Sequence, residues 1–178
     1  MSTVNFKKNR YSNDGFEMFS FVASARMGEK EKNGLKQIFY DGKKKRIWAT
    51  DGHRLHLANI DMGEEDRCFN VILQKKSEIT LDDIKKEDFP NRPNITAVLS
   101  DIRPIARHDV SISPEHPEIA YTKLMRLFQK VVVNFKFFTS LLTFAVSWMA
   151  IIQDDETGPL VFKSDKCLAV IMPMNIGN

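Results

Sequence analysis

Apolar residues alternate with polar ones along much of this chain and recur every third or fourth position in only a few stretches, so strands are expected to outnumber helices. Residues 2–8 alternate weakly and predict a first strand. The polar run Ser12-Asn13-Asp14-Gly15 then offers cap and turn residues before a helix over Phe16–Met27, with Phe19, Val22, Ala23 and Met27 on one side. "LKQIFYDG" and "KKRIWA" predict two strands joined at Asp41-Gly42, and a second hairpin follows at Asp51-Gly52. "CFNVILQ" predicts another strand, while the charged run "KKSEITLDDIKKED" reads as a loop or an edge element.

From Phe89 to Pro117, prolines at 90, 93, 104, 114 and 117 forbid long regular structure, leaving a connector with one short strand in "ITAVLSDI". Beyond it, "PEIAYTKLMRLFQK" predicts a helix with proline at its start. "VVVNFK" predicts a strand, Phe137–Val146 a helix, and "WMAIIQ", "LVFKS" and "CLAVIMPM" three closing strands. Strand, helix and several strands thus occur twice. Two β-α-β-β-β halves with antiparallel hairpins imply an α+β fold with both helices on one face of the sheets. The expected organisation is one domain over residues 1–178: a first half, 1–76, a connector with an extra helix, 77–130, and a second half, 131–178.

With 178 residues, 43% of them hydrophobic and 28% charged, the chain can bury a core without disulfides or metals. A formal net charge of +3 permits a nucleic-acid partner without arguing for one. Cys68 and Cys167 have no partner spacing, which points to a reducing cytoplasm. The N-terminus lacks the apolar segment of a secretory signal. The apolar run Phe137–Ile152 is shorter than the roughly 18–20 residues of a spanning helix, so no membrane partner is expected.

Chemistry-bearing motifs are sparse. No G-x-S-x-G elbow and no glycine-rich phosphate cradle occurs, and no cofactor is expected. "DGHRLH" invites a metal reading. However, His53 and His56 are three apart on an outgoing strand, which sends them to opposite faces, and His108 and His116 lack ligand spacing. A hairpin is the better reading there; a small metal-dependent hydrolase using Asp51, His53 and His56 is the residual enzymatic alternative.

"ATDGHRL" (Ala49–Leu55) resembles the signature segment of the bacterial DNA polymerase III beta subunit, the sliding clamp. "LAVIMPMNI" (Leu168–Ile176) resembles that family's C-terminal strand, and "EDFPNRPNI" (Glu87–Ile95) is a looser echo of its Phe-Pro-Asp-Tyr linker. "VNFKFFTSLLTFAV" is similar to the clamp's last helix with its lead-in. The matches fall in the family's own order and cover residues 34–62 and 131–176. The resemblance implies a DNA-clamp fold and no catalysis: a processivity factor of DNA replication or repair, holding double-stranded DNA nonspecifically through phosphate contacts.

In the family these segments line a hydrophobic pocket that takes short linear peptides of polymerases and repair proteins. Carried over, Thr50, Gly52, His53, Arg54 and Leu55 form one wall, Pro90 and Ile95 the side, and Val170, Met172, Pro173 and Met174 the other wall. Methionines suit such a surface because they adapt to several partners. The basic residues that the reading assigns to DNA are Arg26, Lys30 and Lys32 at and beyond the first helix. Lys123, Arg126 and Lys130 join them as a stripe opposite Leu124, Leu127 and Phe128.

A clamp chain of the family carries three domains and closes into a ring as a dimer; this one is shorter, so a ring implies homo-oligomerisation. Its last helix is almost free of charge. That feature supports an alternative, a clamp-derived interaction module that docks partners without encircling DNA.

Overall fold

Strand β1 (Thr3–Lys7) and helix α1 (Asp14–Ala23) open the chain as the alternation and the helical spacing predict. The computed structural model describes residues 3–8, 14–26, 35–100, 102–127, 131–144, 147–153 and 158–174. The chain divides into two compact units, Met1–Pro93 and Asn94–Asn178.

In the first unit, β2 (Ile38–Asp41), β3 (Arg46–Thr50), β4 (Arg54–Asn59), β5 (Arg67–Lys75) and β6 (Glu78–Asp83) join β1. The order is β1-β6-β5-β2-β3-β4, and every described pairing is antiparallel. The run expected as a loop or edge element is therefore an interior strand. β6 pairs β1 on one side and β5 on the other because Ile79 and Leu81 alternate inward between the polar Glu78, Thr80 and Asp82. α1 covers the sheet: Phe19 is fully buried, stacked on Phe6 with ring centroids 4.7 Å apart and edge-on to Phe69 at 5.7 Å. A bulge between Val71 and Leu73 in β5 leaves Ile72 exposed.

The second unit holds α2 (Ile95–Ser100), β7 (Pro104–Ser111), α3 (Pro117–Leu127), α4 (Phe135–Thr139), β8 (Ser147–Gln153), β9 (Leu160–Lys163) and β10 (Cys167–Ile171). Its antiparallel order is β10-β9-β8-β7. Three expectations change here. "ITAVLS" is a helical turn and a half, with Asn94 Oδ1 accepting the Thr96 N–H at 3.2 Å. "VVVN" is irregular, and the lead-in strand is instead β7, which begins at Pro104 as strands tolerate. The last helix is short: α4 is N-capped by Asn134 and passes into a 3-10 turn over Ser140–Thr143. The core gathers Phe138, Phe162 and Tyr121, with Phe138–Phe162 centroids at 6.0 Å and the Tyr121 hydroxyl donating to the Val133 carbonyl at 2.6 Å.

The first unit contains the β-α-β-β-β order, the second has two helices, α3 and α4, between β7 and the run β8-β9-β10, and the fold is α+β. The stretch read as connector is mostly regular structure, divided between the units at Pro93. Among the described residues no helix is long and apolar enough to cross a membrane.

Candidate partner-docking site

The turn between β3 and β4 is wired to itself. Thr50 Oγ1 donates to the Arg54 carbonyl at 2.7 Å and accepts the Gly52 N–H at 3.1 Å. Asp51 Oδ1 accepts the N–H groups of His53 and Arg54, both at 2.9 Å, and Asp51 Oδ2 accepts Arg54 Nε at 2.9 Å. Thr50 pairs with Leu55 across the strands, so four residues span the turn, and among them Gly52 alone has a positive φ, 88°. The closure spans four residues rather than the two of a type I′ Asp-Gly turn; a single left-handed glycine suffices because the Asp51 carboxylate supplies the remaining closure.

Arg54 and Asp51 side chains are only 10% and 12% exposed, so the guanidinium is held in one orientation. Leu55 is buried at 3% and presents little surface, whereas Gly52 and His53 are exposed and Thr50 is half-buried. Asp51 was not among the expected docking residues. Its signal was present all the same: an Asp-Gly turn with arginine three residues after the aspartate.

His56 points away from any ligand. It is fully buried, stacked on Phe21 with centroids 4.2 Å apart, and its Nδ1–H donates to the Phe21 carbonyl at 2.9 Å with Ser24 Oγ at 3.1 Å. Burial pushes its pKa down to about 3 against the opposing pull of the Phe21 bond, so the ring is neutral. Asp51, exposed His53 and buried His56 therefore do not converge as the hydrolase alternative requires. Among the described residues no group of three His, Cys, Asp or Glu side chains could hold a metal ion.

Pro90 is half-buried just beyond Phe89, which caps a 3-10 turn over Lys86–Asp88, and Ile95 is buried at the start of α2. In the second unit, Val170 is buried within β10. Past Ile171 the chain leaves the strand at Pro173, which lacks a ladder donor, and the Met174 N–H donates to the Val132 carbonyl at 2.7 Å. That bond fixes a short apolar segment whose Met172 and Met174 are 41% and 44% exposed.

Of the expected DNA contacts, Arg26 is half-buried just past α1, and Lys123 and Arg126 are exposed on α3. Lys30, Lys32 and Lys130 lie outside the described residues, as does Phe128. α3 buries Ala120 and Leu124, but Leu127 is 54% exposed, contrary to its expected place on the buried side. Ile119, 53% exposed, shares the outward face with Lys123 and Arg126 at helical spacings of four and seven. The basic stripe is thus an apolar-basic one.

No family model and no curated protein sequence matches the chain. Solved structures do. The Helicobacter pylori beta clamp bound to a DNA ligase peptide shares 11% identity at a TM-score of 0.60, covering 98% of this chain and 66% of that one. The DNA polymerase III beta subunit of Thermotoga maritima shares 13% identity at 0.59, covering 98% and 66%. A putative beta subunit from Eubacterium rectale shares 11% at 0.59, covering 100% and 66%. The fold is therefore that of the bacterial sliding clamps, and the chain spans about two thirds of their length.

Proposed function

We propose that this chain is a non-catalytic, sliding-clamp-type protein that docks replication or repair partners through linear peptides and contacts double-stranded DNA nonspecifically. The observation that carries the reading is the fixed, exposed Met172-Pro173-Met174 segment at the end of a clamp fold. Adaptable methionines on a rigid backbone suit peptide capture, and a neighbouring clamp of the same fold is one bound to a DNA ligase peptide. Thr50, Gly52, His53 and Arg54 of the self-wired turn are proposed as docking residues of the first unit in their own right. Leu55, Pro90, Ile95 and Val170 support the backbone around the exposed groups rather than offering much surface themselves.

We further propose that the two units correspond to two abbreviated clamp domains. Support comes from the 66% span of the clamps and from the division at Pro93, inside the Glu87–Ile95 segment that echoes the clamp linker. On this reading a closed ring requires copies of the chain to associate.

The test is binding of a fluorescein-labelled DNA ligase peptide by fluorescence polarisation. Met172→Ala and Met174→Ala are each expected to weaken it about tenfold, the order of an interface hot spot. Unchanged affinity in both sinks the docking assignment. The second reading, a module that does not encircle DNA, is favoured by exposed Ile119 sharing the outward face of α3 with Lys123 and Arg126. Duplex DNA affinity falling steeply with salt, and reduced by K123Q/R126Q, supports the DNA-holding form. No measurable DNA binding supports the module.

A further inference from the structure

Strand β7 ends the sheet of the second unit. β8 pairs with it on one side, and among the described residues no strand pairs with the other. Beyond an irregularity next to Pro104 the ladder with β8 runs evenly from Ala106 to Ser111. The far edge therefore carries a row of outward N–H and C=O groups, which is a template for another strand.

Natural edges are commonly blunted by charged side chains, lysine above all. β7 carries one charge of each sign instead. Arg107 and Asp109 are both exposed and, two residues apart on a strand, share one face. Across β8 they stand opposite Ile151 and Met149, which offer no counter-charge. The other charges nearby do not engage them: Lys163 lies a further strand away, opposite Met149, Arg103 precedes the strand, Glu118 of the adjoining α3 is beside His116, and Lys123 and Arg126 are on the exposed side of α3. Among the described residues neither Arg107 nor Asp109 forms an ion pair.

Arg-His-Asp is self-complementary in an antiparallel pair. When two copies of β7 meet about a twofold axis at His108, Arg107 of each stands opposite Asp109 of the other, and on the opposite face Ala106 meets Val110. Opposed Cβ atoms lie about 5 Å apart in such pairs, within reach of an arginine–aspartate ion pair. The neighbouring registers are penalised. An axis at Arg107 sets Arg107 against Arg107, and an axis at Asp109 sets Asp109 against Asp109. β1, the end strand of the first unit, has no such pattern: its one charged residue, Lys7, lies beside Glu78 of its own sheet.

We propose that the free edge of β7 is a self-association site that takes β7 of a second copy of this chain in the register centred on His108. Backbone hydrogen bonds supply the attraction, and the two Arg107–Asp109 pairs fix the register, since exposed ion pairs add little affinity. The contact is isologous and uses up both edges, so it stops at a dimer. It rests on neither the peptide-docking nor the DNA-holding reading.

Sedimentation equilibrium of the full chain over about 10–500 μM tests this, a range suited to so small a contact. The parent is expected to pass from monomer to dimer. Arg107→Glu sets a glutamate against Asp109, and Asp109→Arg sets an arginine against Arg107; each is expected to weaken the dimer about tenfold or more. Arg107→Glu with Asp109→Arg exchanges the signs and is expected to recover the parent's association. All three variants change exposed side chains, and circular dichroism checks that they stay folded. The proposal is overturned if the parent stays monomeric throughout, if the single variants dimerise as the parent does, or if the double variant associates no better than the singles. An assembly larger than a dimer that survives both single substitutions also overturns it.

Discussion

His56 is fully buried, and its proton equilibrium is built into the stability of the first unit. Its native pKa lies far below the ordinary value of 6.5 because burial disfavours the imidazolium. Above that value neither folded nor unfolded chains hold the proton. Below it the unfolded chain binds one and the native chain does not, until about pH 3. Stability is therefore expected to be full above pH 6.5 and to fall by about 1.4 kcal/mol per pH unit in the acid range. Urea melts between pH 7 and 5, a window that avoids most carboxylate titration, should show the slope in the parent and lose it in His56→Gln. A parent profile as flat as the variant's contradicts the assignment. Cys68 and Cys167 face the same physics, since burial pushes both thiols up to about 12 and leaves them poor nucleophiles.

At the scale of elements, the two hairpin turns use glycine for different reasons. Gly52 needs a positive φ, yet a Cβ there would meet nothing nearer than Leu35 Cδ1 at 4.0 Å. Gly52→Ala should therefore cost only the conformational strain, about 1 kcal/mol. Gly42 has an ordinary φ, but a Cβ would lie 2.1 Å from the Glu64 carbonyl oxygen, so the backbone has to move. Gly42→Ala should cost about 3 kcal/mol, as overpacking does; chemical denaturation of the pair checks the order, and equal costs contradict it. The Asp-Gly pairs announced both turns in the sequence, but not which of the two constraints each glycine meets, because close approach of Glu64 is a long-range fact.

The same divide runs through the other elements. β2 to β5, α1, α3 and β8 to β10 were legible because each carries its own periodicity. β6 was not, since two apolar residues among charges look like a loop until β1 and β5 flank them. α2 carries β-branched Thr96 and Val98, which read as strand; its backbone is held instead by the Asn94 cap. For the proposed docking segments, letter matches picked out Thr50–Leu55 and Val170–Met174. Exposure was invisible: Leu55 is buried and Met172 is not, although both are apolar residues near a strand end.

At the scale of the molecule, the described residues of the first unit form an α-helix, six strands and a core of their own centred on Phe19, Phe69, Ile79 and Leu81. A segment of that size with so many buried aromatic and aliphatic groups is within the range that folds alone. Residues 1–93 expressed by themselves are expected to unfold in one cooperative urea transition, and a broad, non-cooperative loss of ellipticity contradicts this. The self-wired turn of that unit also bears on how chains of this kind diverge. Thr50, Asp51, Gly52 and Arg54 are each occupied in closing the loop. Descendants that lost every docking partner would be kept to the same letters by folding alone. The Thr-Asp-Gly-x-Arg string therefore marks the turn rather than a use, and under the proposed docking role it is the exposed methionines after β10 that distinguish chains by use.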